Sequence, residues 1–443
     1  MVQEAGRKIR NTTHTMKRLF FIALLFAASI MGVRAQEGKW SGMVDLGDVK
    51  FPVVINFTSE GCSVDLPAQR MMGIGAEKSY SADGKLRVSI PAFNLGFEGI
   101  VAEDIISGKF IQGEDSVPLV LKPGEIEVIQ NRPQTPKGPF PYQTEEVSFQ
   151  SGKYTLHGTL SLPQDYNSKT PVVLFISKMG KWDRDQTLHD HKTFAVIADA
   201  LARNGIASLR YDARCWGDTI DFITNFTIND MKDDAAAGIK FLRKRFKNVG
   251  VIGHHIGGSL ALLLAAEGKT DFVVSLAGVI IPFKESLLLQ NYIAFKTQGF
   301  PDEDIDQFMK ACMAVYDDIA ADKPIKFATV PDNMKPWLEW SASQVSKTYF
   351  KSLLGVDASQ SLLKIKCPVL ALHGMEDQEV DCRSNLSVLD KRLDASKHQV
   401  VPMEGLNNLF QHCSSGIVGD YALIEETFSP EALHRIIGWI KGL

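Results

Sequence analysis

Asn248-Val-Gly-Val-Ile-Gly253-His254-His255-Ile256-Gly257-Gly258 joins a short apolar run to an immediate helix through a Gly-x-x-x-Gly turn. Glycines are needed there because the strand and helix backbones pass too close for side chains. This is the frame of a nucleophile elbow, in which the central residue is lifted to the tip of a tight strand-to-helix turn. Here the central residue is His255, and no Gly-x-Ser-x-Gly occurs elsewhere in the chain.

Strands and helices alternate on both sides of this joint. Tyr154–Leu162 and Val172–Ile176 read as strands, and a helix over His191–Arg203 leads to a strand at Ile206–Arg210. A helix over Asp230–Phe246 leads to the strand Val249–Ile252, and the next helix begins near Ile256. Strands Phe272–Leu276, Val369–His373 and Gln399–Val401 and a helix Pro430–Ile440 follow. Short buried strands between amphipathic helices imply an α/β fold, a doubly wound, mostly parallel sheet covered on both faces. Residues 282–347 are helical and out of rhythm, which predicts a cap inserted over the strand C-termini, where such sheets bind ligands.

The N-terminal part has a different rhythm. From Trp40 to about Val128, runs such as Phe51–Phe57, Leu86–Ile90 and Val117–Leu121 alternate apolar and polar residues between turns such as Asp83-Gly84. Period-two alternation of this kind predicts a small antiparallel β domain over 36–130. Four prolines in Asn131–Pro141 exclude helix and central strand and predict a linker over 131–143. The α/β domain then covers 144–443. Lys17-Arg18, the apolar run Leu19–Met31 and Val33-Arg34-Ala35 read as a secretory signal peptide cleaved before Gln36. That predicts a periplasmic or secreted protein with no stable membrane span after cleavage, the apolar run being short for a bilayer. Met16 is an alternative start.

The chain of 443 residues is 45% hydrophobic and 23% charged with a net charge of -4, which gives no reason to expect a nucleic-acid partner. Six scattered cysteines without a C-x-x-C pair point to no metal site, and no cofactor is expected.

The chain resembles the α/β-hydrolase superfamily, and within it exported bacterial carboxylesterases of the serine-aminopeptidase-like group that carry an N-terminal β domain. Besides the elbow, the resemblance is carried by Thr155-Leu-His-Gly-Thr-Leu160, Asp183-Arg-Asp185 and Val196–Gly205. Tyr211-Asp-Ala-Arg214, Asp233–Gly238, Cys367–Gly374, Gly405–Gln411 and Ile424–Pro430 extend it over residues 36–443. The resemblance implies a Ser…Asp…His triad. Asp377 matches the acid, but His255 stands where the nucleophilic serine belongs and Asn408 where the histidine belongs. Two further departures fall on the same presumed pocket. Ser177–Trp182 is bulkier and more basic than the usual oxyanion segment, and Cys215 replaces a glycine.

A serine hydroxyl needs a base as it attacks, and an asparagine amide is none. Ile256 keeps a backbone N–H and is a candidate oxyanion donor. Lys178, Met179, Arg214 and Cys215 are expected at the pocket rim, where Lys178, Lys181 and Arg214 would attract an anion or simply be solvated. Three other readings stay open: direct attack by the imidazole of His255, a metal held by His254 and His255 with His373 or His398, and His412 as substitute base. The expected function is a pseudoenzyme of the hydrolase family that binds a small acyl-type ligand or a partner of unknown kind in the old pocket. The alternatives are an active hydrolase of carboxylic esters or amides using His255 or another nucleophile, and an interaction module acting through the β domain.

Overall fold

The computed structural model describes residues 37–45, 50–59, 61–66, 71–102, 104–124, 131–218, 221 and 224–443. The signal-peptide reading lies outside these residues. Two compact units divide at residue 127, and each is described by itself.

The N-terminal unit is a closed antiparallel barrel of eight strands in chain order, from β1 (Gly38–Asp45) to β8 (Asp115–Pro123). The last strand closes on the first through Trp40 opposite Pro123 and Ser41 opposite Lys122. Closure removes the exposed edges that a small sheet would otherwise present. Every second residue points inward, as in β5 (Leu86–Ile90), where Leu86, Val88 and Ile90 are buried and Arg87 is exposed. These side chains fill the lumen and leave only about 10 Å³ among Val53, Leu66, Phe97 and Phe110, roughly the room of one water.

The second unit is built on one eight-stranded sheet. In chain order its strands are β9 (Gln143–Ser151), β10 (Tyr154–Leu162), β11 (Val172–Ile176), β14 (Ala207–Tyr211), β15 (Val249–His254), β16 (Phe272–Leu276), β17 (Val369–Gly374) and β18 (His398–Met403). A two-stranded ribbon, β12 (Thr187–Leu188) with β13 (His191–Lys192), stands apart from it. The spatial order is β18-β17-β16-β15-β11-β14-β10-β9, with β10 antiparallel to both neighbours and β11 and β14–β18 mutually parallel. One apolar strand feeds two cores by alternation. Val172, Leu174 and Ile176 of β11 pack on one face, Val173 and Phe175 on the other. The first face is covered by α2 (Ile228–Leu242), α3 (Ile256–Ala266) and α8 (Cys382–Arg392), the second by α1 (Thr193–Arg203) and α9 (Pro430–Lys441). The helices that follow β11 and β15 therefore lie on opposite faces, although the strands are neighbours. That is the switch point at which a doubly wound sheet opens a crevice at its strand C-termini.

The sequence-predicted elements differ from the observed ones mainly at their ends. In this unit β9, which presents mostly polar side chains, α8, which buries few residues, and the ribbon β12–β13 were not predicted. The segment read as a linker is docked along the α/β unit. Arg132 donates to the carbonyls of His189, Ala422 and Ile424, and Gln134 bonds the backbone of Thr427 and Phe428. Proline density excludes regular structure there, as expected, but side-chain bonds to the neighbouring backbone tie the segment down. Between β16 and β17 the inserted helices α4 (Phe283–Thr297), α5 (Asp302–Ala320), α6 (Lys335–Val345) and α7 (Thr348–Leu353) form the cap. It has its own core, with Phe295, Phe308, Tyr316 and Leu338 among its members. Among the described residues no helix is long and apolar enough to cross a membrane, and all six cysteines are free thiols.

Candidate functional site

The elbow folds as its glycines require. A Cβ on Gly253 would lie 2.0 Å from the Gly257 carbonyl oxygen, and one on Gly257 would lie 2.2 Å from that of Ile176. Both contacts are with backbone and neither can relax. His255 sits at the tip with φ 57° and ψ -121°, a backbone conformation that costs a non-glycine residue on the order of 1–3 kcal/mol. The strain of a nucleophile elbow is present although the residue carries an imidazole.

That imidazole turns back on its own helix. Nδ1 of His255 accepts the backbone N–H of Ile256 at 2.8 Å. With Nδ1 an acceptor, the neutral ring carries its proton on Nε2. Burial, reinforced by the nearby Lys178 ammonium, holds the imidazole well below its ordinary pKa, so the ring is neutral. Its one lone pair is engaged by Ile256, and the N–H of Ile256, expected as an oxyanion donor, is engaged by His255. Lys178 N–H, at the end of β11, donates to Oε1 of Gln186 at 2.9 Å.

The loops after β17 and β18 meet the elbow. Asn408 Nδ2 donates to Asp377 Oδ2 at 2.8 Å, and the carbonyl of Asn408 accepts from His254 Nε2 at 2.9 Å. His254 Nδ1 then accepts from Gln186 Nε2 at 2.8 Å. This ring too is neutral, pushed down to about 3 by burial and by Lys178. Asp377 Oδ1 accepts the backbone N–H groups of Glu379 and Val380 at 2.8 and 2.9 Å. Its Oδ2 takes, besides Asn408, the Nε2–H of His373 at 3.1 Å, shared with the Val380 carbonyl. Asp377 therefore answers four donors inside the protein.

Lys178 is 2% exposed and Arg214 7% in the side chain, while Cys215 is fully buried. The rim expected from the sequence is corrected for Lys178 and Cys215, which are buried, whereas Met179 and Arg214 are half-buried as whole residues. Lys178 Nζ bonds both carboxylate oxygens of Glu379 at 3.0 and 2.8 Å and Asn408 Oδ1 at 3.3 Å. Arg214 is held by Asp230 and Asp234 at the start of α2. Neither cation faces open solvent as an anion trap would.

The other two histidines singled out in the sequence are engaged elsewhere. His398 Nδ1 accepts from Val369 N–H, and exposed His412 bonds Glu426 through Nδ1. Among the described residues no group of three or more His, Cys, Asp or Glu is placed to hold a metal ion. Sequence reasoning missed Gln186 and Glu379 as members of this network, and it named His373 as a metal ligand and not as a partner of Asp377. Only Glu379, two residues beyond Asp377, carried a positional signal.

Esterase EstD of Thermotoga maritima is 22% identical to this chain over 436 residues, 93% of this chain and 98% of that protein. The chain is thus similar in sequence to an esterase, and it has the α/β-hydrolase fold. No family model matches it. Solved structures of this fold that resemble it include an esterase of Pyrococcus furiosus, 15% identical over 72% of this chain and 99% of that one, with a TM-score of 0.43. The esterase domain of a Rhodothermus marinus protein is 18% identical over 68% and 98% of the two chains, with a TM-score of 0.40. Within this fold the chain keeps the elbow and the Asp377 turn, and it fills the space between them with Asn408, Lys178 and Glu379.

Proposed function

We propose that this protein is a pseudoenzyme of the α/β-hydrolase superfamily, an esterase relative whose catalytic centre serves as a hydrogen-bonded polar core. The observation that carries the reading is the bond from Ile256 N–H to His255 Nδ1. In one contact it occupies the lone pair an imidazole nucleophile would use and the donor an oxyanion would need. Three features support the same conclusion. Asn408 is no base, Asp377 is saturated with donors, and the cluster His254, His255, Lys178, Asp377 and Asn408 is at most 5% exposed. A small acyl-type ligand would meet a closed wall here, so the reading places any binding function away from the elbow. The N-terminal pattern of the sequence adds that the protein is exported.

The test is labelling of the purified protein with a fluorophosphonate beside an active serine esterase. No labelling is expected. Stoichiometric labelling, mapped to a serine by mass spectrometry, would overturn the proposal.

A further inference from the structure

The cap contains a cavity that neither the elbow nor the sheet shares. About 80 Å³ of open space lies between α4 and α6, lined by Asn291, Ala294, Phe295, Gln298, Trp337 and Trp340 together with Phe308 and Ser341. This is several times the roughly 10–15 Å³ that one water needs. Phe295 is the centre of an edge-to-face cluster. Phe300 stands 5.0 Å away at 69°, Phe308 4.8 Å at 74° and Trp337 6.1 Å at 90°. Rings in such perpendicular array leave faces and edges that suit one more ring. Trp340 is 57% exposed, an unusual position for an indole and one that lets the mouth widen by side-chain rotation. Ser341 Oγ pairs with Tyr316 OH at 2.8 Å, so the apolar cavity has a hydroxyl pair beside it. Apolar walls with a few polar groups are the general form of a small-molecule site.

From this we infer a binding site in the cap for a single planar aromatic ring bearing one hydroxyl-type substituent. The ring inserts among Phe295, Phe308, Trp337 and Trp340, and its polar substituent lies toward Asn291, Gln298 and Ser341. The site is independent of the pseudoenzyme reading, since no lining residue belongs to the elbow network.

The probe is benzyl alcohol, titrated into the full purified chain while tryptophan fluorescence and thermal midpoint are followed. A saturable response with a Kd of about 1 mM is expected for a ligand of this size. At ten times Kd the midpoint rises by about 2 °C. Cyclohexylmethanol, similar in size but not planar, binds about threefold more weakly or worse. Ala294→Phe fills the cavity and abolishes the response. If that variant does not fold, Trp340→Ala, at an exposed position, weakens the response instead. No saturable response, equal binding of cyclohexylmethanol, or full binding by a folded Ala294→Phe variant would each overturn the inference.

Discussion

The side-chain amide of Asn408 donates to Asp377 Oδ2 at 2.8 Å, the contact through which a triad acid would hold its histidine. An amide can make this bond but cannot go on to accept a proton from a nucleophile. The acid position therefore keeps its geometry and loses its catalytic consequence.

Reversing the two replacements together should recover some chemistry. His255→Ser supplies a hydroxyl and frees the Ile256 N–H, but alone it lacks a base. Asn408→His alone lacks the hydroxyl. The double variant is expected to hydrolyse short-chain aryl esters measurably and only partially, because Lys178 abuts position 408 and its charge would disfavour the protonated histidine that catalysis passes through. Adding Lys178→Ala with Glu379→Ala should raise the rate further. Triad members act as a unit, so the gains are strongly non-additive. A folded double variant without turnover or fluorophosphonate labelling would mean that the oxyanion region has been rebuilt as well.

Lys178 and Glu379 form a pair with side-chain exposures of 2% and 10%. Removing one partner strands the other in a poorly solvated site, and Lys178→Met is expected to cost about 3–5 kcal/mol in urea unfolding. Lys178→Met combined with Glu379→Met should recover most of the loss. If the single variant is as stable as the parent, Glu379 is hydrated and the site is open.

Asn408→Ala removes the amide between Asp377 and Lys178. A loss of about 1–3 kcal/mol is expected, the cost of leaving buried polar groups without a partner. Asn408→Asp should cost more, because it sets a second carboxylate beside Asp377. Chemical denaturation at neutral pH reads both, and a cost for Asn408→Asp no greater than for Asn408→Ala would contradict the packing described.

The fold was legible where burial was one-sided or complete. Val172–Ile176 and Phe272–Leu276 are buried throughout and were read to the residue. β9 escaped because Thr144, Glu145, Glu146, Ser148 and Gln150 outnumber its inward Val147 and Phe149. At the site, positions 255 and 408 were visible as departures, and 377 as a match, inside known motifs. Their bonding was not, because it depends on pairs distant in the chain. Lys178 read as a rim cation because its partner Glu379 is 201 residues away, and Gln186 reaches His254 across 68. Nothing in the local sequence shows that a lysine will be buried.

Buried histidines, His255 among them, limit stability in acid. His254 is lowered to about 3 by burial and Lys178, and His191 to about 4 by burial and Arg132. Both stay neutral in the fold, whereas the unfolded chain takes up their protons below the ordinary 6.5. Their contribution is thus full above that value and is lost as the pH falls toward 4 and then 3. With His255, three protons correspond to a slope of up to about 4 kcal/mol per pH unit. His254→Gln should flatten the slope between pH 6 and 4 by close to one proton, as read from urea midpoints across pH. An unchanged slope would mean that His254 already charges in the native state.

The most direct measurement is turnover of a short-chain aryl ester by the purified protein beside its His255→Ala variant. Equal rates, both at the level of the buffer, are predicted, since the imidazole of His255 is bound to Ile256 N–H and no base stands at Asn408. A clear excess for the parent chain would show that the imidazole leaves that bond and attacks, and would contradict the account.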